Sequence, residues 1–369
     1  MTAAAAPTVP RVPPPFVVRW SDKLARWLHS LARRMAPPQF ALLEVVGARW
    51  VSDALGAFTR LGLPEQLAQG PKTAHALASR CDVDVDALHR LLRALAREGL
   101  LTETADGAFG LTAVTEPLRD DHPATMRNFV LNLTAEHNVR TWASLHRSVA
   151  SGASVFADVV GRPDPWAWMA DHPEHGEVFH GAMAELTRDV VPAVVGAYDF
   201  ARHRSVCDLG GGRGILLAGL LASTPTLRGT LVDSADVVAE APPVFARWQV
   251  ADRATIEAGD AFTSIPSGHD LYVAKHLLHG YDDERLLPML RAWREAMDDH
   301  ARLLLVEIVV PGPGQPFMAM LDLQMLVSSY GGRERTEEEW RSLLGRGGFT
   351  LRAVRATASP FSVIEVDPA

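Results

Sequence analysis

Val206-Cys207-Asp208-Leu209-Gly210-Gly211-Gly212-Arg213-Gly214 is the stretch whose reading decides the fold. An apolar run of strand length, Ser205–Leu209, enters the glycines, and a helical apolar stretch from Ile215 leaves them. Glycines at such a turn let the backbone approach a ligand that a Cβ would hold away. They do not spell a dinucleotide fingerprint, because the last place of G-x-G-x-x-G begun at Gly210 is Ile215, and no G-K-S/T follows for a phosphate loop. Asp208 at the loop edge favours a cationic ligand over a phosphate.

Outward from this turn, short apolar runs alternate with helical stretches: Gly229–Val232, Leu271–Ala274 and Leu303–Val309. That alternation predicts βαβ units, a parallel sheet with helices on both faces, and a ligand at the carboxyl ends of its strands. Leu231-Val232-Asp233 ends the second strand in a carboxylate, an acceptor for both hydroxyls of a ribose. Gly259-Asp260-Ala261-Phe262 follows the third, with an acceptor for an exocyclic amine and an aromatic ring for a base. The three together point to an adenosine without a pyrophosphate.

The chain has 369 residues, 47% of them hydrophobic and 22% charged, which is ordinary globular composition with room for two or three domains. No apolar run reaches the ~20 residues that cross a bilayer, and the first fifteen residues hold five prolines and no signal core. Cys81 and Cys207 stand alone, which fits a reducing compartment, and we expect a cytoplasmic protein with no membrane partner. Net charge is −8 overall and +5 over residues 1–36, so the rest stands at −13 and should repel nucleic acid.

Four regions are expected: a flexible Pro/Ala-rich and basic arm at 1–36, a small domain at 37–120, a helical linker and pocket region at 121–200, and the α/β domain at 201–369. In the arm, Leu24, Trp27, Leu28 and Leu31 fall at helical spacing, read as a helix packed on its own fold, with a membrane or partner surface as the alternative. In the second region, Thr73–Ser79 reads as a helix. Leu88, Leu91, Leu92 and Leu95 line one face of the next, and Leu100–Thr112 reads as a hairpin turning at Asp106-Gly107. That is winged-helix topology. Asp82, Asp84 and Asp86 at the would-be recognition helix oppose a ligand-sensing DNA-binding regulator and favour a dimerisation role.

The run Asp208–Gly214, Asp233, Gly259-Asp260, Lys275–Glu284 and the block Gly332-Arg333-Glu334-Arg335-Thr336 resembles the S-adenosylmethionine-dependent small-molecule O-methyltransferases of the caffeate, hydroxyindole and bacterial polyketide type. The resemblance covers about residues 40–355. It implies a Rossmann-like class I methyltransferase domain preceded by a mainly helical, winged-helix dimerisation domain, and hence a homodimer. By that resemblance Gly210 and Gly212 line the methionine moiety, Asp233 holds the ribose, and Asp260, Ala261 and Phe262 flank the adenine. Lys275 and Thr187 match further cofactor positions.

Methyl transfer to a phenol needs a base, because a phenol with pKa ~10 is mostly protonated at neutral pH, and a neutral histidine suits that task. His279 in Lys275-His276-Leu277-Leu278-His279-Gly280-Tyr281-Asp282 matches the family's general base, and His276 is the weaker candidate. Glu307, inside an apolar strand, would cost several kcal/mol, roughly, to bury without a partner. The resemblance makes that partner the His279 imidazole and Glu334 the second acid of the group. Phe179, Met183, Met320 and Met325 are the candidate lining for an aromatic acceptor.

Where the family has Asp-Trp after the histidine, this chain has Gly280-Tyr281, which either loosens the histidine's surroundings or leaves room for a bulkier acceptor. Asp282-Asp283-Glu284 reads as helix N-terminal charge, and no metal is expected, for want of an HExxH or His-x-His pattern. The reading is methyl transfer from S-adenosylmethionine, leaving S-adenosylhomocysteine, to a hydroxyl of an aromatic natural-product intermediate. A same-fold enzyme that binds this cofactor but hydroxylates, decarboxylates or rearranges is the alternative.

Overall fold

The computed structural model describes residue 7, residues 9–310 and residues 316–369. The chain divides into two compact units. One holds Leu24–Arg140 with Met169–Leu186, the other Thr141–Trp168 and Thr187–Ala369 with the described residues before Leu24. Part of the Pro/Ala-rich start expected to be mobile lies outside the described residues.

In the first unit, Thr73 caps the helix Ala74–Cys81 by accepting from Ala76 N (3.3 Å), and Asp84 caps Val85–Arg97 by accepting from Ala87 N (2.8 Å). The leucine stripe behaves as its spacing requires: Leu88, Leu92 and Leu95 are buried and Leu91 packs beside them, against Phe58, Leu63, Leu77 and Phe109. Each such burial is worth roughly 1.5–3 kcal/mol. A three-stranded sheet completes the winged-helix arrangement: β1 (Lys72–Thr73), β2 (Leu101–Glu103) and β3 (Ala108–Leu111), in the order β1-β3-β2.

The arm corrects one expectation. Residues Pro15–Met35 do form a helix, but none of them is buried, so this helix does not pack its apolar face on its own fold. Trp20 (67% exposed) and Trp27 (60%) stand open, as do Leu43 (66%) and Trp50 (75%) on the next helix, Pro38–Arg60. An exposed apolar stripe of this kind marks a surface for a protein or membrane partner.

The second unit is built on a seven-stranded sheet. Its strands are β4 (Ser205–Leu209), β5 (Arg228–Asp233), β6 (Ala254–Ala258), β7 (Leu271–Lys275), β8 (Arg302–Glu307), β9 (Phe349–Ala356) and β10 (Ser362–Pro368), in the order β6-β5-β4-β7-β8-β10-β9. β4 to β8 are parallel, as the apolar runs of β4, β5, β7 and β8 suggest, while β10 pairs antiparallel with both β8 and β9. The sheet is therefore mixed rather than wholly parallel. The strand order reverses at β4, with β5 on one side and β7 on the other, so a crevice opens beyond their carboxyl ends. Leu209, Tyr272, Trp293, Leu305 and Trp340 are fully buried in the core beneath it.

Candidate active site

The glycine turn is held by its neighbour strand. Gly210 N (2.9 Å) and Gly211 N (3.3 Å) donate to Val232 O, and Asp233 accepts from Gly212 N (2.8 Å) and Ser234 N (2.7 Å). Gly210, Gly212 and Gly214 lie at φ of 66°, 60° and 76°, backbone that a side chain would strain, and a Cβ on Gly210 would also stand 2.9 Å from Leu277.

Beneath the loop, Asp208 is fully buried, and neither of its oxygens makes a well-formed hydrogen bond among the described residues, the Leu217 amide being only a weak donor to it. Burial and the Asp233 charge push it up to about 7 against the pull of Lys275. Burial in turn brings Lys275 down to about 8, with Glu307 and Asp208 pulling it up. A buried carboxyl without a well-formed hydrogen bond, beside a turn open at Gly212, fits a cationic ligand such as the sulfonium cofactor that the resemblance implies. On the next loop Asp260 accepts from Phe262 N (2.9 Å), Ala261 O accepts from Trp293 Nε1 (2.7 Å), and the Phe262 ring meets Tyr281 edge-on at 4.9 Å.

The second cluster follows β7. His279, only 7% exposed, lies in the short turn Leu278–Gly280, and its Nδ1 is 2.9 Å from Glu334 Oε1. A carboxylate accepts, so Nδ1 carries the proton and Nε2 keeps its lone pair. Burial opposes charge on this imidazole, and so does Lys275. The Glu334 hydrogen bond and the charges of Glu307 and Glu334 outweigh them, and the pKa is raised above 6.5.

Glu307 departs from its expected partner. Its Oε1 accepts from the backbone amides of Leu277 (3.1 Å) and Leu278 (2.9 Å), so it holds the loop that carries the histidine, while Glu334 takes the imidazole. Burial raises Glu307 to about 7. His276 lies flat on His279, ring centroids 3.7 Å apart and planes 19° from parallel. The possible ligand atoms of His276, His279 and Glu334 all lie within 4.8 Å of one another. Imidazole lone pairs lie in the ring plane, however, so two stacked rings do not converge on one ion.

Two residues outside the expected set complete the cluster. Arg335, fully buried, donates to Tyr281 O (2.9 Å) and Leu278 O (3.4 Å), pairs with Asp283 (3.0 Å) and lies over Trp340. A buried arginine within the Gly332–Thr336 block was the available signal, and charge alone does not say that carbonyls would be its partners. Tyr281 accepts from Trp166 Nε1 (3.0 Å) and stacks on Tyr330 (5.3 Å, 3°), whose hydroxyl donates to Asp164. Asp282 accepts from Arg285 N (2.9 Å) as the cap of helix Asp283–Ala296.

The remaining candidates lie apart from this hydrogen-bonded cluster in the chain. Phe179, Met183 and Thr187 follow at four-residue spacing on one face of the helix Pro173–Ala197, the first two within the N-terminal unit. On the helix Pro316–Ser328, Met320 is 47% exposed and Met325 half-buried.

Comparison with known proteins names the family. The O-methyltransferase domain matches residues 142–350 and the O-methyltransferase dimerisation domain residues 43–118. The phenazine O-methyltransferase PhzM of Lysobacter antibioticus is 37% identical over 333 residues, 90% of this chain and 97% of that protein. The aclacinomycin 10-hydroxylase RdmB of Streptomyces purpurascens is 33% identical, covering 88% and 89%.

Among solved structures, LaPhzM has a TM-score of 0.86 at 37% identity, covering 90% of this chain and all of that one. The O-methyltransferase NcsB1 from neocarzinostatin biosynthesis, in complex with S-adenosylmethionine and 2-hydroxy-5-methyl naphthoic acid, has 0.75 at 30%, covering 86% and 96%. The chain thus belongs to the O-methyltransferase family, a helical dimerisation domain followed by a class I α/β domain, and it is an S-adenosylmethionine-dependent O-methyltransferase.

Proposed function

We propose that the enzyme methylates a phenolic hydroxyl of an aromatic natural-product intermediate, with His279 as general base. The observation that carries this reading is the buried pair His279 Nδ1···Glu334 Oε1 at 2.9 Å, with Nε2 left as an acceptor. When bound, S-adenosylmethionine supplies a methyl group already activated on a sulfonium. The chain's own work is to align the acceptor oxygen and take its proton, since a phenol of pKa ~10 is about one part in a thousand phenolate at neutral pH.

His279 Nε2 takes that proton, and Glu334 stabilises the imidazolium that forms. Glu307 keeps the loop in register through Leu277 N and Leu278 N. Gly210, Gly212, Asp233, Asp260, Ala261, Phe262, Lys275 and Thr187 are the residues we assign to the cofactor, and Phe179, Met183, Met320 and Met325 those we assign to the acceptor. Exposed apolar residues on Pro15–Met35 and Pro38–Arg60 support a homodimer through the N-terminal domain. No described helix is long and apolar enough to cross a membrane, and we take the enzyme to be cytoplasmic.

The test is turnover of methyl-labelled S-adenosylmethionine over a panel of phenolic polyketides and aromatic acids, read by mass spectrometry, with His279→Ala alongside. Label on a phenol with wild type, and a loss on the order of 10²–10⁴-fold in the variant at unchanged cofactor affinity, is the expected result. Undiminished turnover in His279→Ala would remove it from its role.

A further inference from the structure

His276 is a partly exposed titratable group, its ring nitrogens shielded from solvent, that the mechanism above leaves unused. Three observations set it apart. Its backbone lies at φ 54°, a left-handed conformation uncommon in residues other than glycine and modestly costly to a side chain. Both its ring nitrogens are shielded from solvent with no hydrogen-bond partner among the described residues. Its ring stacks on His279 at 3.7 Å and 19°, and lies perpendicular to the ring of Phe361 at 5.0 Å. Strain and two orphaned nitrogens are costs that a mere filler would not carry, and a leucine or phenylalanine would fill the space without the second of them.

We propose that His276 is a positioning residue that sets the ring plane of the catalytic base, a reading that rests on His279 being that base. Glu334 fixes one end of the imidazole through Nδ1, which leaves the ring only a residual swing through small coupled turns of its side-chain torsions. A flat ring 3.7 Å from its face blocks that swing and aims Nε2 along one line. The left-handed turn at His276 is also what carries the chain from β7 into the loop, with His276 N donating to Val306 O (3.1 Å) and the next two amides to Glu307. Strand end, stack and base are thereby one device.

The stack works only while His276 is uncharged. Burial is the main influence holding it neutral, and the neighbouring His279 and Lys275 add to it. The charged and titratable groups around His279 itself are Glu334 on one loop, Glu307 at the end of β8, Lys275 at the end of β7 and the stacked ring. A neutral aromatic face is what the imidazolium formed in turnover can lie against.

Three substitutions separate the stack from its alternatives. His276→Phe keeps a flat ring and discards the nitrogens, so it should retain turnover within about threefold, with the pH profile of wild type. His276→Ala should lose on the order of ten- to a hundredfold in kcat with little change in KM. His276→Gly removes the ring but relieves the backbone, so it should melt higher than His276→Ala yet turn over as slowly.

Titration of His279 by NMR in labelled protein reads the base directly. Its pKa should shift in His276→Ala and His276→Gly and stay in His276→Phe. A phenylalanine variant as impaired as alanine would overturn the proposal in favour of a hydrogen bond from the ring nitrogens. Unchanged kcat and an unchanged His279 titration in His276→Gly would overturn it outright. An active His279→Ala enzyme fells the base assignment instead, and the NMR arm keeps the two failures apart.

Discussion

His279 and Glu334 show how far single residues could be read. The block Gly332–Thr336 marks Glu334 as belonging with the histidine, and the fold delivers the pair at 2.9 Å. The role of Glu307 was not legible, because an acid at a strand end can face either an imidazole or the amides of the next loop, and only the left-handed turn at His276 decides for the amides. The pair also sets a pH dependence. In its proposed role as base His279 must be neutral to accept a proton, and the Glu334 hydrogen bond and the carboxylate charges raise it above 6.5, so kcat/KM should rise with pH through an apparent pKa above that of free histidine. Glu334→Gln removes the charge that favours the imidazolium. The acid limb should then move to lower pH while maximal turnover falls, by on the order of tenfold or more. A pH profile in Glu334→Gln that overlays wild type would mean that the carboxylate does not act on the base.

At the scale of elements, the site is two loops laid one on the other. Asp282 N donates to Tyr330 O (3.0 Å) and Tyr330 N to Gly280 O (3.2 Å), and Arg335 threads from one loop to the carbonyls of the other. Gly332 is where they touch: a Cβ there would press into the His279 carbonyl oxygen and lie 2.6 Å from the Gly280 carbonyl carbon. Both are backbone atoms and cannot swing aside. Gly332→Ala should therefore lower Tm, by about 1–3 kcal/mol of stability, and lower kcat together, as Glu334 is levered off the imidazole. A variant with wild-type Tm and kcat would show that the loops are not locked here.

The sequence announced the parallel strands because β4, β5, β7 and β8 are buried on both faces and read as continuous apolar runs. It did not announce β9, an edge strand where exposed Thr350 and Arg352 alternate with buried Phe349 and Leu351, so that no continuous apolar run marks it. Nor did it show that a Cβ on Gly280 would meet nothing within 4 Å, so the position has room for a side chain.

Across the whole molecule, protonation and stability are linked through two buried acids that hold their protons up to near-neutral pH. Asp208 and Glu307 are each raised to about 7, mainly by burial, from ordinary carboxyl values near 4. A carboxyl whose folded pKa lies above its unfolded value favours the fold while protonated. That contribution is complete below about 4 and is lost as pH rises through about 7, on the order of a few kcal/mol for each. The free enzyme thus becomes less stable across that window.

A cation beside Asp208 reverses the sign. It favours the ionised carboxylate, so at pH 5 binding must first displace a proton, whereas at pH 8 the anion stands ready. Affinity for S-adenosylmethionine should accordingly rise with pH through about 7, and calorimetry near that pH, repeated in buffers of differing ionisation enthalpy, should record proton release on binding. Asp208→Asn removes both the anion and the proton, so it should bind more weakly at pH 8 and with an affinity that no longer depends on pH. If the variant retained the wild-type pH dependence, the proton would have to come from elsewhere, and Lys275, brought down to about 8 beside the same acid, would be the next group to replace.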